Sequence, residues 1–192
     1  MTVGAILLAA GSARRMGDDK LIADLGGKPL IMHAVDAIAE ARLDGPIVAI
    51  RPDSPVAALL EGRARLVGVV DHDSGMGHSL AAAVRKVPLF WTAAVVCLAD
   101  MPFVRPLTLV ALAREADSRI IVRPTCEGRP GNPVLWGRSH FNRLGKLTGD
   151  QGGRALFERF PFELLECGDP GIEIDIDTPE ALVAARERLE GP

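Results

Sequence analysis

The sequence predicts an α/β domain built on a mostly parallel central sheet. Three observations predict it. Apolar runs recur along the chain and are continuous rather than alternating, as expected of strands covered on both faces. Stretches with helical spacing lie between these runs. Glycine and polar clusters fall directly after the runs, where a parallel sheet places its ligand-binding loops.

In chain order, the strand-like runs are Val3 to Ala9, Ile47 to Arg51, Leu66 to Val70, Ala93 to Ala99 and Arg119 to Arg123. After the first of them, Ile31, Val35 and Ile38 repeat at spacings of four and three, which places them on one helical face. Ser79 to Lys86 is alanine-rich and reads as a helix. Leu107 to Glu115 follows Pro106, a favoured first-turn residue. Thr178-Pro179-Glu180 starts a last helix over Ala181 to Leu189. The stretch Thr125 to Thr148 is less regular, with a strand at Pro133 to Trp136. It belongs to a substrate-binding excursion around 125–154. No long linker, repeat or low-complexity tract divides the chain, so residues 1–192 read as one domain.

The bulk properties narrow the function. Hydrophobic residues make up 48% and charged residues 24%, and the net charge of -3 gives no reason to expect a nucleic-acid or membrane partner. No apolar run approaches the roughly 20 residues needed to span a bilayer. The first residues have no basic segment of the kind that opens a signal peptide, so a cytoplasmic location is expected. Cys97, Cys126 and Cys167 lack CxxC spacing and read as reduced structural thiols. His33, His72, His78 and His140 share no metal-ligand spacing.

The strongest local signal is Leu8-Ala9-Ala10-Gly11-Ser12-Ala13-Arg14-Arg15-Met16-Gly17-Asp18-Asp19-Lys20-Leu21, directly after the first strand. Small residues let backbone N–H groups approach phosphate oxygens, and Arg15 and Lys20 add charge. A Walker A loop is excluded because Asp18 follows Gly17. A dinucleotide fingerprint is excluded because Ala13 stands two after Gly11. A strand-to-helix turn that uses glycine only for geometry leaves the two cations unexplained.

Carboxylates follow. Cys97-Leu98-Ala99-Asp100-Met101-Pro102 ends the fourth apolar run with an acid facing the ligand crevice, suited to magnesium and equally to a turn before proline. In Ile174-Asp175-Ile176-Asp177, alternation puts both acids on one side of a short strand. Asp177 is also placed to cap the last helix. Gly75-Met76-Gly77-His78-Ser79-Leu80 offers N–H groups, His78 and Ser79 to a base or ribose, with Ser79 equally fit to cap the helix it precedes. Gly128 to Pro133, with Asn132, and Leu147 to Arg154, with Asp150 and Arg154, suit a polar phosphorylated acceptor. An internal Asp–Arg pair in a solvated loop is the plainer alternative.

The string LAAGSARRMGDDKL, followed by Gly27-Lys28-Pro29-Leu30, resembles the signature of the MobA-like nucleotidyltransferase superfamily. The resemblance implies a Rossmann-like three-layer sandwich that activates a phosphorylated acceptor with a nucleoside triphosphate. It implies nucleotide contacts from Leu8, Ala9, Ala10, Gly11, Ser12, Arg15, Lys20 and Ser79, with Arg15, Lys20 and Asp100 catalytic. Mg2+ would be held by Asp100 and Asp177, with Asp175 as the fallback. Asn132, Asp150 and Arg154 would meet the acceptor.

The set LAAG, GMxxSL, ADMP, GNP, GDxGxR and DxDTPE, spread from Val3 to Leu189, is similar to the molybdenum cofactor cytidylyltransferase branch. That similarity implies transfer of CMP from CTP to the phosphate of molybdopterin, with handover to a xanthine dehydrogenase-type apo-enzyme or its chaperone. Ala10 matches the cytidylyl LAAG rather than the guanylyl LAGG. Gly77 where Ser is common, Asn132 where His is frequent and Gly153 where Ala is usual depart from the pattern. A guanylyltransferase, or an enzyme acting on a sugar phosphate or other small phosphate, is the alternative. A non-catalytic nucleotide-binding regulator would have no need for two metal ligands. An ionised phosphate acceptor needs no nucleophile triad, so positioning and charge neutralisation carry the chemistry.

Overall fold

A computed structural model describes residues 1–11, 20–71, 75–150 and 152–190. In chain order its strands are β1 (Thr2–Ala9), β2 (Asp24–Leu25), β3 (Lys28–Pro29), β4 (Asp44–Ile50), β5 (Arg65–Gly68), β6 (Trp91–Leu98), β7 (Ile121–Cys126), β8 (Arg129–Pro130), β9 (Val134–Gly137) and β10 (Glu163–Glu166). Its α-helices are α1 (Leu30–Glu40), α2 (Val56–Leu59), α3 (Met76–Val84), α4 (Pro106–Arg114), α5 (Phe141–Leu144), α6 (Arg154–Phe157) and α7 (Pro179–Glu190).

The main sheet runs β10-β7-β9-β6-β1-β4-β5, with β8 paired to β7. The pairs β1–β4, β1–β6, β4–β5 and β7–β10 are parallel, and β9 is antiparallel to both β6 and β7. The mostly parallel α/β expectation holds. Helices cover both faces, and the residues of β1 show why its run is continuous. Ala5, Leu7 and Ala9 enter one core with α1, α4 and α7. Ile6 and Leu8, followed by Ala10, enter the other with α3, α5 and α6. Fully burying a side chain such as Ile6 or Leu7 contributes about 1.5–3 kcal/mol.

One tryptophan fastens the end of the sheet remote from the loops. The indole of Trp91 lies where a Cβ on Gly4 would be, and its Nε1–H donates to the Asp44 carboxylate. Only glycine in β1 leaves the ring that path from β6 to β4.

Several boundaries differ from the sequence expectations. The strand expected over Arg119 to Arg123 is β7, which continues through Pro124 to Cys126. Proline has no N–H to donate and argues for a stop. Here its carbonyl still accepts from Gly131 N–H at 2.9 Å, and β8 takes over the pairing at Thr125 and Cys126. The edge strand β10 is absent from the reading because Glu163-Leu164-Leu165-Glu166 is short and mostly exposed. The helix expected from Ser79 starts three residues earlier, at Met76.

Candidate active site

The C-terminal ends of β1 and β6 are joined by a hydrogen bond from Ala99 N–H to the Leu8 carbonyl, at 3.1 Å. This brings Ala9-Ala10-Gly11 beside Asp100. A second tie, Ile176 N–H to the Asp100 carbonyl at 2.9 Å, lays the 174–177 segment against the same point. That segment is extended but is not a strand, which corrects the expectation. Ile174 and Ile176 pack into the core on one side, while Asp175 and Asp177 face the cavity on the other.

Lys20 closes this cluster. Its Nζ donates to Asp100 Oδ2 at 2.7 Å and to Asp177 Oδ1 at 2.6 Å, so the two carboxylates face each other across one ammonium. Burial opposes the charge on Lys20, but the two carboxylates outweigh it and raise its pKa, which keeps it protonated at neutral pH. Burial raises the Asp175 pKa, and Asp177 and Asp100 add to that by hydrogen bonding and repulsion. The last helix is capped by Thr178, whose Oγ1 accepts from Ala181 N–H at 3.2 Å.

The cluster opens into a cavity of about 830 Å³. Small-molecule sites span roughly 300–1,000 Å³, so this one has room for two reactants side by side. Leu8, Ala9, Ala10, Gly11, Lys20 and Ser79 line it, as do Asp100, Asp175 and Asp177, and so do Asn132, Asp150 and Arg154. Ser12 and Arg15 lie outside the described residues. Ser79 is buried within the first turns of α3 rather than capping it, because the N-cap is Gly75 at φ 106°. A side chain on Gly75 would run into Gly149 and Asp150, and one on Gly77 would meet the carbonyls of Thr148 and Gly149 at 2.8 Å. This close approach welds the start of α3 to the 148–150 loop and accounts for glycine where serine is common. His78 is not among the lining residues. Ala10 is fully buried with its Cβ in the core and does not need a positive φ.

Two contributors, Asp169 and Arg123, carry no signal in the sequence. Asp169 is buried, and its carboxylate accepts from Arg105 N–H at 2.9 Å, Thr108 Oγ1–H at 2.6 Å and Gly171 N–H at 2.9 Å. It joins the start of α4 to the turn that delivers Asp175 and Asp177. Asn132 is fixed to that same turn by its N–H to the Ile172 carbonyl, at 3.0 Å. Arg123, midway along β7, also lines the cavity.

Among the described residues, no group of three or more His, Cys, Asp and Glu side chains is arranged to hold a metal unaided. Two carboxylates with open positions are what a magnesium shared with phosphate oxygens uses. Nor is any described helix long and apolar enough to cross a membrane.

Residues 5–164 match the MobA-like NTP transferase domain. The chain belongs to that family. It is a nucleotidyltransferase. Purine catabolism protein PucB of Bacillus subtilis is 31% identical over 96% of this chain and 96% of its own. A probable molybdenum cofactor guanylyltransferase of Natronomonas pharaonis is 28% identical, again over 96% of each. The fold matches that of Rv0371c from Mycobacterium tuberculosis in its complex with manganese. The TM-score is 0.80 at 23% identity, over 96% of this chain and 98% of that one. The family typically depends on a divalent metal.

Proposed function

We propose that the chain transfers CMP from CTP to the terminal phosphate of molybdopterin, releasing pyrophosphate. The observation that carries this reading is the convergence of Asp100, Asp177 and Lys20 on a cavity that Asn132, Asp150 and Arg154 also line. Ala9, Ala10 and Gly11 lead into the loop that receives the triphosphate, with Arg15 and Ser12 in that loop. Ser79 approaches from α3. Asp100 and Asp177, with Asp175 as the fallback, would hold magnesium, which supplies neutralisation of charge between the two phosphates. Lys20, drawn from the carboxylates to the phosphates, steadies the departing pyrophosphate. Asn132, Asp150 and Arg154 orient the acceptor, and no general base is required because its phosphate is already ionised.

Two further supports favour this acceptor and base. The name of PucB places it in purine catabolism, and xanthine dehydrogenase-type enzymes, which oxidise purines, are the recipients expected for the product, directly or through a chaperone in the cytoplasm. Ala10 matches the cytidylyl pattern and its Cβ is packed. Guanylyl transfer is the second reading, favoured by the similarity to the Natronomonas pharaonis protein.

Pyrophosphate release from each triphosphate, with and without molybdopterin, tests the proposal. CTP with molybdopterin should exceed GTP by at least about a hundredfold in kcat/KM, since a site that hydrogen-bonds its base discriminates more strongly than an apolar pocket does. Equal or better use of GTP overturns the cytidylyl assignment. Release only with a sugar phosphate overturns the acceptor.

A further inference from the structure

We propose that Arg123 and Arg154 form an anion subsite that takes a second anionic group of the acceptor, remote from its reacting phosphate. The inference rests on the reading that this half of the cavity receives the acceptor, and it adds what chemistry that acceptor must carry.

Arg123 stands on β7 on the same face as Ile121, and its guanidinium lies over the ring of Phe157 at 4.6 Å and near that of Phe162 at 5.7 Å. These rings hold the cation in place but offer only their π faces. The Nε of Arg123 is buried with no hydrogen-bond partner. Arg154, at the start of α6, lines the same cavity. Among the described residues no carboxylate pairs with either arginine. Burial, and then the charge of Arg154, lower the pKa of Arg123. Other arginines of the chain are satisfied within the protein: Arg85, Arg138 and Arg143 donate to backbone carbonyls, and two more meet carboxylates. Arg63 has Asp36 at 2.7 Å and Arg129 has Glu173 at 2.8 Å. Two adjacent guanidinium groups facing a cavity without a counter-ion are arranged for an anion that arrives from outside.

The sheet says which reactant brings it. β7 is three strands from β1, through β9 and β6. At about 4.8 Å per strand that is roughly 14 Å from β1, which leads into the glycine loop, and roughly 10 Å from β6, which leads into Asp100. The subsite therefore faces the acceptor, beyond its reacting phosphate. Molybdopterin carries such a group in its ene-dithiolate, whereas a simple sugar monophosphate has none.

The test titrates inorganic phosphate into the full chain without nucleotide, following the fluorescence of Trp136. That ring stacks on Phe157 with centroids 5.5 Å apart and reports on the subsite. Arg123→Met should weaken phosphate binding by about tenfold or more, the loss expected of a charge-assisted contact. Arg154→Met should do the same, and serves if the first variant fails to fold. Lys20→Ala should leave this fluorescence response within about twofold, since Lys20 lies at the other end. A wild type without saturable response, or arginine variants that bind like wild type, overturns the subsite. With molybdopterin as acceptor, Arg123→Met should raise its KM about tenfold and the nucleotide KM less than about twofold. If arginine-dependent phosphate binding is present but molybdopterin is not a substrate with any triphosphate, the acceptor assignment fails and the subsite stands.

Discussion

The two halves of the cavity are built by different means. At the nucleotide end the working groups sit just past strand ends and are tied by backbone bonds: Ala99 to Leu8 and Ile176 to Asp100. At the proposed acceptor end Arg123 comes from mid-strand and is held by aromatic stacking, on Phe157 and through it on Trp136 with planes 7° apart, while Asn132 and Asp150 sit in loops. The first arrangement fixes charges to within a hydrogen-bond length, as a reaction centre needs. The second fixes a shape, as recognition of a particular partner molecule needs. On the proposed reading, the difference teaches that one half of the site encodes the reaction and the other the substrate.

That contrast can be broken or sharpened by substitution. Asp100→Ala removes a carboxylate from the reaction half. Turnover should fall by about a thousandfold, roughly 4 kcal/mol of barrier, with the melting temperature little changed. Near-normal activity at saturating magnesium would remove Asp100 from the reaction.

Asp169→Ala strikes the support beneath that half. It would strand Arg105 N–H, Thr108 Oγ1–H and Gly171 N–H in a buried place, at a cost of about 3 kcal/mol. The midpoint of thermal unfolding should drop by about 10 °C for a chain this size. A shift under about 2 °C would mean that the turn carrying Asp175 and Asp177 is held by other contacts.

Gly153→Ala is the smallest change and probes the acceptor half alone. A Cβ there would meet Trp136 Cζ2 at 2.7 Å, so the indole must shift, at about 1 kcal/mol. The KM for the acceptor should rise by about fivefold while that for the nucleotide holds. Equal change in both would mean that the halves are mechanically coupled.

The same division explains what the sequence revealed. Asp100 was legible because an acid ending an apolar run in a parallel sheet falls at the ligand crevice, and it lines the cavity. Of the glycine loop, Lys20 was singled out because a cation among small residues suits an anion, and it meets Asp100 and Asp177; residues 12–19 lie outside the described residues. Arg123 was not, because a lone arginine before Pro124 reads as the end of a strand, and its rings lie more than thirty positions onward. Asp169 was not, because its partners at Arg105 and Thr108 are joined to it only by the fold. The departures Gly77 and Gly153 looked like weakened motif matches. Each is the residue its neighbour requires, the 148–149 backbone in one case and Trp136 in the other. Strand direction was also hidden: the run Val134–Gly137 has the composition of its neighbours but points the opposite way.

The ammonium of Lys20 between Asp100 and Asp177 has a consequence for how the reaction centre fills. At rest the enzyme carries its own monovalent counter-ion, tethered to the chain. On the proposed reading, a divalent cation held by Asp100 and Asp177 would displace this monovalent one rather than enter an empty acidic well, so the local charge would rise by one instead of two. The displaced ammonium would need an anion, and the triphosphate would supply it. Ion and nucleotide would then bind as a mutually dependent pair, and free magnesium alone would have little to gain.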